Sequence, residues 1–160
     1  MKLTQKLVFE MLGRITVFYA TLDLLVSKLY LELILSDKAS NVNDTDLLPT
    51  KFKALKSLKE TDVVSVVALD EIKMFADDAI SLAKTRNRFL HDQWVFNPND
   101  LAAGEIRRIK LSGIKERMLK TESCTHSYQD LEDLLKNLGE MQEKVGKVLE
   151  DVTAHKKALS

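Results

Sequence analysis

The sequence predicts an all-α fold: an up-and-down helical bundle with a long amphipathic helix at each end and a small hairpin or irregular insertion over 95–125. Three observations predict it. Apolar residues recur in alternating steps of three and four over about 4–36, 62–94 and 127–152, which places them along one face of a helix. The 160 residues include only five Gly and two Pro, with 45% apolar and 30% charged residues, the profile of a helix-rich globular chain. After Trp94 the period is lost, and 101–125 gives no clean period of either kind. A chain of 160 residues suffices for a single domain, spanning 1–160, whose core needs no disulfide.

The first helix carries Val8, Met11, Ile15, Phe18, Leu22, Leu25 and Leu29, widened by Leu12, Tyr19, Val26 and Leu33. That stripe is broader than a two-stranded coiled-coil seam and suits core packing. Residues 36–46, rich in Ser, Asn and Asp, read as a loop. Pro49 then suits the first turn of a short helix through Phe52, Leu55 and Leu58. Thr61 or Asp62 is placed to cap the next long helix. Its stripe runs Ala68, Ile72, Phe75, Ala79 and Leu82, flanked by Leu69, Ala76, Ala83 and Leu90. After Trp94 the turn cluster Asn97-Pro98-Asn99-Asp100 stops easy helix continuation. The segment 101–125 fits either a hairpin turning near Ser112-Gly113 or helices at 101–109 and 113–121. Ser127 suits an N-cap, with Asp130 in the first turn. The last helix follows through Leu131, Leu134, Leu138, Met141, Val145, Val148 and Val152, with Gly139 and Gly146 as weak points.

Several function classes are excluded. The 24 basic and 24 acidic residues balance, so no global field points to nucleic acid, and any such binding needs a local basic patch. Cys124 is the only cysteine, which bars an intramolecular disulfide and fits a reducing compartment. Lys6, Glu10 and Arg14 interrupt any secretory apolar region, and no uncharged run approaches the length of a bilayer span. These features predict a cytoplasmic protein without a membrane partner. There is no phosphate-binding glycine loop, no nucleophile elbow and no dinucleotide fingerprint. Cys124 and His126 would need two further ligands to hold zinc, and His155 is a distant candidate, so no metal and no cofactor is expected.

The stretch that departs from ordinary patterning is Ala83–Trp94. Continuing the core line from Leu82 reaches Arg86 and then Phe89. A guanidinium on that line must find partners or water, because an unpaired buried charge is very costly. Asn87 and His91 follow at i and i+4, on adjacent turns of one face. At about 100° per residue, His91 lies about 140° round the helix from Arg86. One regular helix therefore does not aim both side chains at one spot. They converge only if the helix loosens near His91 or a second copy supplies the complementary group.

Arg86-Asn87-Arg88-Phe89-Leu90-His91 matches the R-N-x-x-x-H form of the motif in HEPN domains, and the chain resembles that family. It does so through the Asn after the Arg, the position of the motif at the end of a long helix, and Trp94 three residues beyond. The six motif residues carry the specific likeness; the helical layout extends it less specifically over most of the chain. The resemblance implies a helical-bundle ribonuclease that cuts RNA without a metal, in a cleft where two copies face each other as a homodimer. It further implies the toxin of a toxin–antitoxin or phage-defence system, with an antitoxin or a nucleotidyltransferase as protein partner. Carried to matching positions, His91 is the general acid or base acting on the ribose 2′-hydroxyl or the leaving oxygen; the ordinary histidine pKa of about 6.5 suits that work. Arg86 clamps the scissile phosphate through its planar fork, and Asn87 orients His91 or a phosphate oxygen. The alternative is a non-catalytic module of the same fold that binds a protein partner or a nucleotide.

Structural roles compete for the same residues. An Arg near a helix end can pair with Asp92, Asp77 or Asp78, and a His before an Asp can settle at a helix C-terminus, where positive charge is favourable. Spacing alone favours such a role; the position of Arg86 on the core line and the resemblance favour a site. For contacts to the RNA backbone the candidates are Arg88, Arg107, Arg108 and Lys110. The last three belong to a run over 105–120 in which six basic residues face two acidic ones, a balance of +4. With Lys51, Lys53, Lys56 and Lys59 this run could track phosphates; a solvated charged face is the competing explanation.

Overall fold

A computed structural model gives the fold, and it describes residues 3–33, 47–58, 66–115 and 118–159. The loop expected over 36–46 and the cap expected at Thr61 or Asp62 lie outside them. The elements in chain order are α1 (Gln5–Leu33), α2 (Leu48–Lys56), α3 (Val66–His91), β1 (Gln93–Val95), α4 (Pro98–Ala102), β2 (Glu105–Lys115), β3 (Met118–Ser127) and α5 (Tyr128–Leu159). The protein is mostly helical, but it is not the pure all-α bundle that the periodicity predicts. Residues 93–127 fold largely as a three-stranded antiparallel sheet in the order β1-β2-β3.

The chain divides into two compact units, one formed by Met1–Val17 with Lys84–Asn137, the other by Phe18–Ala83 with Leu138–Ser160. Among the described residues, the regular elements of the second unit are all helices. Leu22, Val26 and Leu29 of α1, Phe52 and Leu55 of α2, Ile72, Phe75 and Ala79 of α3, and Leu138, Met141, Val145, Val148 and Val152 of α5 are buried there. These are the residues that the three-and-four stepping selects. Phe52 and Phe75 meet edge to face with centroids 6.1 Å apart. Gln142 donates to the Phe18 carbonyl at 2.5 Å, and Lys156 reaches a Glu32 carboxylate oxygen at 2.8 Å. The two contacts advance together along α1 and α5, so these stretches run in the same direction. Lys51 on α2 is turned inward, 3% exposed, and its ammonium donates to Ser27 Oγ at 2.7 Å and to an Asp23 carboxylate oxygen at 3.3 Å.

The first unit holds the sheet. Asn97 caps α4, its side chain accepting from the Asn99 amide at 2.9 Å, with Pro98 in the first turn where its missing N–H is no loss. The turn cluster thus starts a helix of one turn instead of only ending one. Gly104 follows at φ +79°, a left-handed turn that favours glycine, and leads into β2. β2 pairs with β3 from Glu105↔Ser127 to Lys115↔Met118, with a bulge between Leu111 and Gly113. Of the two expectations for 101–125, the hairpin is the one observed, but its strands pair past Ser112-Gly113 as far as Lys115 and Met118. Gly113 belongs to the bulge, where an extra residue must be absorbed. Ser127 caps α5: its hydroxyl accepts from the Asp130 amide at 3.2 Å, while Asp130 accepts from the Ser127 amide at 2.6 Å, a reciprocal cap that satisfies two helix-end donors.

Candidate functional site

The end of α3 carries the R-N-x-x-x-H run, and α3 keeps helical geometry through His91, with the Asp92 amide donating to the Arg88 carbonyl at 3.0 Å. The helix does not loosen before His91. Along its last turns Arg86 is half-buried, Asn87 half-buried, Arg88 exposed, Phe89 buried and His91 exposed. Arg86 Nη1 donates to Asn87 Oδ1 at 2.9 Å, so those two side chains are brought together. His91 stands apart in solvent, as the regular helix angle requires. Arg86 thus occupies the core line only in part, half-buried and hydrogen-bonded to its neighbour Asn87.

Beneath this helix end lies a cluster that the sequence did not announce. Arg108, on β2, is 6% exposed. Its Nη1 is hydrogen-bonded to Asp92 Oδ2, and its Nε donates to His126 Nε2 at 3.1 Å. Its guanidinium carbon stands 5.3 Å from the centroid of the Phe89 ring, within cation–π range. Phe89 also meets His126 at 4.8 Å and Trp94 at 5.4 Å. The Trp94 indole N–H donates to the Phe89 carbonyl at 2.7 Å, satisfying a carbonyl that the helix leaves open at its end. One buried cation therefore ties the end of α3 to β2 and β3, with aromatic rings packed around it.

His126 is a hydrogen-bond acceptor at Nε2, so in its neutral form the ring proton sits on Nδ1. That nitrogen lies 3.9 Å from Asp130 Oδ2. Burial is the main cause that lowers the His126 pKa below its ordinary value; the Arg108 charge adds to it and Asp130 opposes it.

Alternation explains why these residues meet. Ile106 and Arg108 lie on one face of β2, and Cys124 and His126 stand opposite Arg108 and Ile106 in the register. Recognising that period of two would have turned Arg108 inward beside Ile106. The residues expected to contact an RNA backbone are placed differently from one another. Arg88 is exposed; Arg107 pairs with Asp100 at 3.2 Å; Lys110 stands 3.7 Å from Glu122; Arg108 is the buried cation just described. Arg117 lies outside the described residues. Of the lysines on α2, Lys51 is buried, Lys53 exposed and Lys56 paired with Asp77 at 2.6 Å, while Lys59 lies outside the described residues. Asp92, offered as a partner for Arg86, pairs with Arg108.

No described protein family, curated protein sequence or solved structure matches this chain. Its chemistry rests on its own residues. Among the described residues, no three His, Cys, Asp or Glu side chains gather as a metal site requires, and no helix is long and apolar enough to cross a membrane.

Proposed function

We propose that this chain is an endoribonuclease of the HEPN type that cuts RNA without a metal and works as a homodimer, with Arg86, Asn87 and His91 as its active groups. The observation that carries the reading is the R-N-x-x-x-H run on the last turns of a 26-residue helix, with His91 exposed at its end. An exposed imidazole at a helix end is accessible to a large substrate, and histidine exchanges protons near neutral pH. The Arg86–Asn87 hydrogen bond holds the guanidinium in one orientation, which favours a planar clamp on a phosphate.

The dimer follows from angle. With α3 regular through His91, Arg86 and His91 diverge by about 140°, so one helix does not present both to one phosphate. Two copies related by a twofold axis can face their helix ends, each lending His91 to the phosphate that the other's Arg86 binds. In the reaction His91 takes the proton of a ribose 2′-hydroxyl. The oxygen forms a bond to the adjacent phosphorus, the bond from phosphorus to the 5′-oxygen breaks, and a protonated histidine returns a proton to that oxygen. The products are a 2′,3′-cyclic phosphate and a 5′-hydroxyl. Arg86 stabilises the charge gathered on the phosphoryl oxygens. A toxin–antitoxin or phage-defence setting, with an antitoxin or a nucleotidyltransferase restraining the enzyme, belongs to the same proposal.

The test is cleavage of a mixed pool of structured and single-stranded RNAs by purified protein in EDTA, wild type beside His91→Ala. Wild type is expected to cut and His91→Ala to be inactive with unchanged circular dichroism. Equal cutting by both would remove His91 from the site. Absence of cutting by either would favour the non-catalytic binding module.

A further inference from the structure

The strongest unassigned feature is the environment of His126. Charged and titratable groups face it from three elements besides its own strand: Arg108 from β2, Asp92 at the end of α3 through Arg108, and Asp130 from α5. Cys124, on β3, lies opposite Arg108 in the register. Phe89 and Trp94 form the apolar walls, 4.8 Å and 5.9 Å from the imidazole. The two ring nitrogens therefore have opposed partners, a cation that must donate to Nε2 and a carboxylate that can accept from Nδ1.

We propose that His126 is a proton-operated latch on the junction of α3 and β1. While neutral, it accepts from Arg108 and helps hold that guanidinium under Phe89 and against Asp92. Once protonated, it has no lone pair left at Nε2, so the Arg108 bond cannot survive and two positive charges stand side by side. Asp130 then offers the imidazolium a partner on its other side, with Nδ1 already 3.9 Å away. The shift loosens Arg108 and frees the turn at Asp92, the residue after His91. The inference goes beyond the ribonuclease reading and holds whether or not the protein cuts RNA. Lowered affinity of the buried ring for a proton places the switch in mild acid.

The chain supplies its own reporter, because Trp94 is its only tryptophan and a protonated imidazole quenches a neighbouring indole. Trp94 emission and amide exchange of residues 92–95 would be followed between about pH 7.5 and 4.5, spanning the ordinary histidine range. The full chain is used, as wild type, His126→Gln and Asp130→Asn. Gln keeps an acceptor for Arg108 and does not titrate. Wild type is expected to lose emission and amide protection together, at a midpoint below about 6.5. His126→Gln is expected to be flat over that range, and Asp130→Asn to shift the midpoint to lower pH. An unchanged midpoint in Asp130→Asn, a wild-type response that persists in His126→Gln, or emission that titrates while the amides stay protected would each overturn the latch. Should His126→Gln not fold, imidazole nitrogen shifts of wild type assign the titration instead, and a midpoint belonging to His91 or His155 would overturn it equally.

Discussion

Replacing Asp92 by Asn tests the buried pair on which the junction depends. The side chains of Arg108 and Asp92 are 7% and 14% exposed, so water screens them little and the surface-pair range of under 1 kcal/mol does not apply. The Asn amide keeps the shape and one acceptor but removes the charge, leaving a guanidinium buried with only neutral acceptors. Breaking a buried pair from one side costs about 3–5 kcal/mol. The retained acceptor argues for the lower end, about 3 kcal/mol. For a chain of this size that corresponds to a fall in Tm of about 6–12 °C. The assay is urea unfolding followed by Trp94 fluorescence and circular dichroism in parallel, since coincident curves license a single free energy. A companion double variant, Asp92→Leu with Arg108→Met, removes both charges and should recover most of the loss, because apolar replacements of similar volume are often neutral. A loss below about 1 kcal/mol in Asp92→Asn would refute the reasoning, since it would mean that the pair is as well solvated as an ordinary surface pair.

Two further outcomes concern stability. A Cβ at Gly139 would meet the Phe18 ring at 3.5 Å, an ordinary contact, and one at Gly146 would meet nothing within 4 Å. Both lie inside α5, so Gly139→Ala and Gly146→Ala should each stabilise by about 0.5–1 kcal/mol, read as a raised urea midpoint; a fall would mean that the helix needs the glycines. Because burial lowers the folded-state pKa of His126, the unfolded chain binds more protons between that pKa and the ordinary value of about 6.5. The His126 contribution is therefore fully present above about 6.5 and declines as pH falls through the window below it. His126→Gln should flatten that part of the pH–stability curve, and an unchanged curve would contradict the assignment.

The long helices were legible because their burial is set locally. Every residue selected on α5, from Leu131 to Val152, is buried, and Ser127 with Asp130 marked its start. The sheet was legible only in outline. Ser112-Gly113 carries a turn signal, yet Gly113 is used for a bulge and the strands continue to Lys115 and Met118. The sequence makes Arg108 a candidate for RNA-backbone contact within its basic run, because a count of charge contains no information on partners 16 and 18 residues away, Asp92 and His126. For the candidate site, the sequence places Arg86 on the core line near the end of a long helix, and in the structure it is half-buried there. It left open whether α3 would loosen there; the helix runs regularly to His91, and the next residue, Asp92, pairs with Arg108. Tertiary pairing decided what local pattern did not.

The most direct measurement of the central claim is the chemistry of the cut ends. RNA treated with the wild-type protein in EDTA would be analysed by mass spectrometry of the fragments. Attack by the 2′-hydroxyl predicts a 2′,3′-cyclic phosphate on one fragment and a 5′-hydroxyl on the next, with both absent after His91→Ala. Fragments ending in a 5′-phosphate would contradict the account, because they require water as the nucleophile and leave the 2′-hydroxyl no part in the reaction.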